Sequence, residues 1–183
     1  MRILVTGGTG FVGSHTVAEL VRGGHHVTLL VRKRERVRPA LDPLGVEVAA
    51  VIEGDVTDPL SVEQAALGCD ATIHCASVYS LDPRANQTIQ ATNVRGTDLV
   101  LGIAHRLGHD PIVHVSSFAA LIGDRGKVLT PDALPTRPSG AYFRSKADSD
   151  RVARRYQDSG VPVVITYPGS VWGPHDPHLG ESC

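Results

Sequence analysis

Six short apolar runs alternate with amphipathic helical patterns along this 183-residue chain, and that alternation leaves few architectures open. The runs fall at residues 2–6, 26–31, 46–52, 70–76, 111–117 and 161–167. The second, HVTLLV, is rich in β-formers and apolar along its body, as burial on both faces of a sheet requires. Between the runs lie helical patterns. Residues 11–22 carry Val17, Leu20 and Val21 at i, i+3, i+4 and end at Gly23-Gly24. Residues 59–67 open on Pro59 and are capped by Thr57 or Asp58. A long helix is expected over 84–107, and another over 140–158 with Gly160 as its stop. The pattern predicts a doubly wound α/β fold, a parallel sheet with helices on both faces. The length suits one domain of ordinary size.

Composition narrows the function. Lys+Arg 18 against Asp+Glu 19 gives no general attraction to nucleic acid or an anionic membrane surface, so neither is an expected partner. No apolar stretch approaches the ~18 residues that cross a bilayer. Cys69, Cys75 and Cys183 lack metal-like spacing, which favours a reduced, cytoplasmic setting. Among nine histidines, His25-His26 stand at a strand entrance and His175 and His178 in a polar stretch. Neither pair comes with a carboxylate or cysteine set, so no metal is expected.

The first strand runs into Thr6-Gly7-Gly8-Thr9-Gly10-Phe11-Val12-Gly13, and the first helix follows at once. Gly7 permits a tight turn, Gly10 lets the backbone approach a pyrophosphate, and Gly13 lets helix and strand pack closely. This strand–turn–helix context predicts dinucleotide binding at the helix N-terminus. At the end of the second strand an NAD enzyme usually carries an acid for the ribose 2′-hydroxyl. Here no acidic residue stands between Glu19 and Glu35, and the chain reads Val31-Arg32-Lys33-Arg34. A guanidinium can fork onto a 2′-phosphate that a carboxylate would repel. NADP(H) is therefore favoured, with Arg32 the first contact and Lys33 the second; NAD(H) is the alternative.

Tyr142 and Lys146 stand at i, i+4, on one face of the helix beginning near Gly140. A neighbouring ammonium is expected to lower the phenol's pKa, so that Tyr142 exchanges a proton with a carbinol while nicotinamide moves a hydride. Ser116-Ser117 end the fifth strand at the sheet's carboxyl edge, where a hydroxyl can polarise a substrate carbonyl. The connection 117–140, with Pro131, Pro135 and Pro138, is long enough to read as functional.

Together these residues resemble the N-terminal, cofactor-binding part of an extended short-chain dehydrogenase/reductase. Within that group the chain is similar to the NAD-dependent epimerase/dehydratase and dihydroflavonol-reductase-like branches. The resemblance rests on TGGTGFVG at 6–13, GDVTD at 54–58, HCAS at 74–77, NVRGT at 93–97, VSS at 115–117, YFRSK at 142–146 and YPGSVWGP at 167–174. It implies a Ser117, Tyr142, Lys146 triad, and cofactor contacts from Gly7, Thr9, Gly10, Phe11, Val12 and Gly13. It also implies Asp55 and Val56 near adenine, and Cys75, Ala76 and Ser77 along the cofactor. Tyr167, Pro168, Gly169, Ser170 and Val171 would flank the nicotinamide, although Tyr167 stands where many members have arginine. The reductase-like pattern makes Ser117 catalytic; counting back from Gly123, as sugar epimerases suggest, gives Phe118.

Three activities follow as expectations: an NADP(H)-dependent carbonyl/alcohol oxidoreductase, a nucleotide-sugar epimerase or dehydratase, or a dinucleotide sensor without turnover. The resemblance makes a homodimer plausible through the helices at 84–107 and 140–158. Residues 1–174 are expected to form the NAD(P)-binding domain. Residues 175–183 would be a polar tail opening a substrate-binding region that the chain lacks, with Trp172 packed beneath it. Cys75 is expected to be small, buried and inert, and Asp148, Asp150, Arg151 and Arg154 to form a solvated helix face.

Overall fold

A computed structural model describes residues 1–80, 82–122, 128–130 and 133–177. Gly123, Lys127, Pro131, His178, Leu179 and Cys183 lie outside the described residues. The sheet contains β1 (Arg2–Thr6), β2 (His26–Val31), β3 (Ala50–Glu53), β4 (Ala71–His74), β5 (Ile112–Val115) and β6 (Val163–Thr166). Its order is β3-β2-β1-β4-β5-β6, and every neighbouring pair is parallel. The order reverses direction beside β1, which opens a crevice between the carboxyl ends of β1 and β4.

Two apolar layers hold the sheet. On one face α1 (Phe11–Arg22) and α2 (Val37–Leu41) bury Val17, Ala18, Val37 and Leu41 against Ile3, Val5, Val27 and Leu29. On the other, α3 (Pro59–Ala66), α5 (Gly96–Arg106) and α6 (Ala141–Asp158) bury Val62, Val100, Leu101 and Ala153 against Leu4, Ile112 and Val163. Asp58 is the α3 cap, its carboxylate accepting from the Leu60 and Ser61 amides. The α6 helix stops at Asp158, and Gly160 follows with φ +84°.

Two elements differ from the sequence pattern. The third strand is shorter and later than 46–52, because pairing with β2 begins only where Ala50 meets Thr28. The helix expected over 84–107 is instead α4 (Asn86–Gln90), a π turn at Ala91–Arg95 and α5. The π turn holds Asn93 inward at 2% exposure, where its amide donates to the Val78 carbonyl and to Ser145 Oγ, each at 2.9 Å. Its oxygen accepts from the Val78 amide at 2.7 Å, tying the chain after β4 to α6.

Candidate active site

The glycine turn is built by contact. A Cβ on Gly7, whose φ is +71°, would lie 2.5 Å from the Ala76 nitrogen, and one on Gly13 would run into the Gly7 carbonyl oxygen. At Gly10 the same atom would meet only the Gly7 oxygen, at 3.4 Å, so this position faces open space. Gly10 is also the N-cap of α1, with no side-chain cap and no acidic residue in the first turn. The leading amides of α1 are thus left for an anion, in contrast to the carboxylate-capped α3. The site fits a dinucleotide's pyrophosphate.

From this turn a cleft of about 720 Å³ runs over the carboxyl edge of the sheet. Gly7, Gly10, Phe11, Val12, Gly13 and Arg32 line one end. Cys75, Ser77, Ser117, Tyr142 and Lys146 line its middle, with Pro168, Gly169, Ser170 and Val171 opposite. Six expected contacts stand outside the lining. Thr9 belongs to the turn but not to the wall, and Lys33 is exposed. Ala76 lies behind Gly7, its amide donating to Thr6 Oγ1. Asp55 Oδ1 accepts from the amide and hydroxyl of Thr57, and Val56 is buried against Gly96. Tyr167 turns its hydroxyl to Arg154 at 2.7 Å.

The two adjacent serines face different ways. Ser116 Oγ donates to Asp150 Oδ2 at 2.8 Å. Ser117 Oγ accepts the Ala119 amide at 3.2 Å and hydrogen-bonds the Tyr142 phenol. Phe118 puts its ring in the cleft wall and its amide on the Pro168 carbonyl. Tyr142 does not behave as its spacing to Lys146 suggests. Burial raises its pKa above the ordinary value, Tyr79 raises it further, and the Ser117 hydrogen bond lowers it. The Lys146 ammonium is itself buried and donates to the Val115 carbonyl at 3.2 Å. Its pKa falls to about 8 through burial, opposed by Cys75 and Asp150. Burial pushes the Cys75 thiol up to about 12, which keeps it protonated and inert.

Several neighbours were not singled out by sequence. Tyr79 meets Tyr142 edge-on with ring centroids 4.7 Å apart, and nothing in its sequence context marks it. Asn93 lies in the NVRGT stretch, but its inward turn depends on the π geometry. The expected solvated face of α6 is corrected: Asp150 is 0% exposed and pairs with Arg154 at 2.8 Å. Asp148 and Arg151 remain a half-exposed pair. Trp172 is also not packed beneath anything described; it is 82% exposed and lines the cleft. Among the described residues no group of three or more His, Cys, Asp or Glu is placed to hold a metal, and no helix is long and apolar enough to cross a membrane.

The sequence profile of the NAD dependent epimerase/dehydratase family matches residues 3–182. The chain belongs to that family. It is 34% identical over 176 residues to a putative dihydroflavonol 4-reductase of Synechocystis, a match covering 94% of this chain and 50% of the relative. It is 31% identical over 179 residues to a ketoreductase of Stigmatella aurantiaca, covering 96% and 52%. A dTDP-glucose 4,6-dehydratase from Streptomyces venezuelae, solved with NAD bound, superposes with a TM-score of 0.82 at 32% identity, over 96% of this chain and 58% of that one. The chain thus spans about half the length of the curated relatives it matches. Family members named for reduction and for sugar-nucleotide dehydration both share the fold, so the chemistry must be argued from the cleft.

Proposed function

We propose that the chain carries the cofactor site and reactive groups of an NADP(H)-dependent reductase acting on an uncharged carbonyl compound. The observation that carries the reading is the convergence of Ser117, Tyr142 and Lys146 on one cleft with the glycine turn and Arg32. The α1 amides and Gly10 would hold the pyrophosphate, and Arg32 the 2′-phosphate. When bound, the nicotinamide supplies or accepts hydride at C4. The chain's own residues supply the proton. Tyr142, held above its ordinary pKa, is a neutral phenol at pH 7 and gives its proton to the developing alkoxide oxygen. Ser117, its oxygen engaged by the Ala119 amide, directs its hydroxyl proton to the same oxygen. The Lys146 ammonium, one helical turn on and donating to the Val115 carbonyl in the free chain, would hold the cofactor ribose beside the phenol.

The far wall argues for a reductase over a sugar-nucleotide enzyme. Val78, Tyr79, Phe118, Ala119, Phe143 and Trp172 make it apolar and aromatic, and the charged residues among the cleft's described lining are Arg32 and Lys146. A pyrophosphate-bearing substrate would find little on this wall to compensate its charge.

Parallel titrations with NADPH and NADH test the cofactor reading. NADPH is expected to bind at least tenfold more tightly, and Arg32→Asp to abolish that margin. Equal or inverted affinities would move the reading to NAD and the epimerase/dehydratase chemistry. Tyr142→Phe is expected to abolish carbonyl reduction and keep NADPH binding; full residual activity would remove Tyr142 from its role.

A further inference from the structure

Asp150 is a carboxylate at 0% exposure, one helical turn past Lys146. An ionised group there is costly unless each oxygen is engaged, and both are. Oδ2 accepts from Ser116 Oγ and Oδ1 from Arg154 Nε, each at 2.8 Å. Arg154 spends its Nη2 on the Ala133 carbonyl and the Tyr167 hydroxyl, each at 2.7 Å. Ser116 adjoins Ser117, Tyr167 adjoins the Pro168–Gly169 wall, and Ala133 lies in the connection between β5 and α6. The segments that shape the reactive end of the cleft therefore meet on one buried ion pair.

We propose that Asp150 is a positioning residue for the candidate active site, fixing the Ser116–Ser117 strand end and the Tyr167–Pro168 corner on the helix that carries Tyr142 and Lys146, and setting the charge state of Lys146. This rests on the reading of Tyr142 and Lys146 as the reactive pair. Three titratable groups from other elements face Lys146: His74 and Cys75 at the end of β4 and His114 on β5. Burial keeps both histidines neutral and the thiol protonated where Lys146 titrates. Facing Asp150 are Ser116, Arg154 and the Tyr167 phenol, the last also protonated there. Asp150 is therefore the anion that offsets the desolvation of Lys146. Arg154 Nε pairs with the other carboxylate oxygen, Oδ1, at 2.8 Å.

The chain contains only three lysines, Lys33, Lys127 and Lys146, so their ¹³Cε resonances can be assigned by single Lys→Arg changes. The full chain labelled at lysine Cε is titrated from pH 6 to 11, with no substrate or cofactor. Lys146 is expected to titrate near 8, and Asp150→Asn to lower its midpoint by about one unit, a tenfold loss of proton affinity. Asp150→Asn leaves the partly buried Arg154 guanidinium without its carboxylate. The double variant Asp150→Asn/Arg154→Gln removes both members of the pair, is expected to keep the fold, and is expected to show a smaller drop of the same sign. An unchanged Lys146 midpoint in the folded double variant overturns the proposal. Because Lys146 is read directly, the result is independent of whether NADPH binds or a carbonyl is reduced, so failure here and failure of the reductase reading are told apart.

Discussion

Substituting the two glycines of the phosphate turn separates what the fold needs from what the ligand needs. Gly13 packs α1 onto the turn, and a Cβ there would overlap the Gly7 carbonyl oxygen and approach Gly8 Cα at 3.0 Å. Because the obstacle is backbone, the start of α1 must move, and overpacking of this kind costs about 1–3 kcal/mol. At roughly 2–4 °C per kcal/mol for a domain of this size, Gly13→Ala is expected to melt several degrees below the parent protein. Gly10→Ala is different. Its φ of −90° suits any residue, and its new methyl meets nothing closer than 3.4 Å. Replacing glycine by alanine at an N-cap costs a few tenths to about 1 kcal/mol. The stiffer unfolded chain returns about 0.4–1 kcal/mol, so Tm should hardly move. The methyl nevertheless projects where a phosphate would reach the α1 amides. Losing one or two charge-assisted hydrogen bonds, each about 1.5–3 kcal/mol, weakens binding by one to several powers of ten. Thermal unfolding and NADPH fluorescence titration of the two variants measure both effects. If Gly10→Ala binds NADPH and NADH like the parent, the phosphates do not lie on this turn. If Gly13→Ala melts with the parent, the close approach of α1 to the turn is not what holds it.

Three further outcomes follow from buried polar groups. Both ring nitrogens of His114 are buried without a hydrogen-bond partner among the described residues, so His114→Leu is expected to raise stability by about 1–2 kcal/mol, read as a higher Tm; a lower Tm would show that the imidazole is satisfied. Burial holds His74 down to about 3, and His114 well below its ordinary value, whereas in the unfolded chain both protonate near 6.5. The unfolded state thus gains protons first, and stability present above pH ~6.5 is lost progressively as pH falls toward 3. Denaturant midpoints between pH 8 and 4 should decline below 6.5, and less steeply in His114→Leu; an equal slope in the variant would assign the acid lability elsewhere. Asn93→Ala leaves the Val78 amide without its acceptor, at about 1–3 kcal/mol, and should free Tyr79 from the Tyr142 ring. Its Tm should fall and fluorescence quenching of the tyrosines should change; an unaltered Tm would mean the π turn is not held by Asn93.

What could be read before the structure, and what could not, divides by the range of the interaction. The strands, the α1 turn and the α6 helix are local patterns: apolar period, glycine spacing and a cap at Asp58 were all visible in short windows. The place of Arg32 on the cleft could be read the same way, because it stands directly after the end of β2. Lys33 could not, since one step along an extended segment reverses the side of the sheet a residue faces. Asp150 shows the same limit on a helix. In sequence it is one of four charged residues among Asp148, Asp150, Arg151 and Arg154, and the pattern suggests a wet surface. Two positions separate Asp148 from Asp150, a rotation of about 200° on an α-helix, which carries one to solvent and the other against Ser116. Only the packing of α6 on the end of β5 decides which is which. The Tyr142 pKa fails for a related reason. Spacing places Lys146 one turn away, but whether the phenol feels that charge depends on where the ammonium points, and here it points to the Val115 carbonyl. The sequence therefore locates residues of the cleft better than it gives their ionisation, because ionisation is set by burial and by partners contributed from distant parts of the chain.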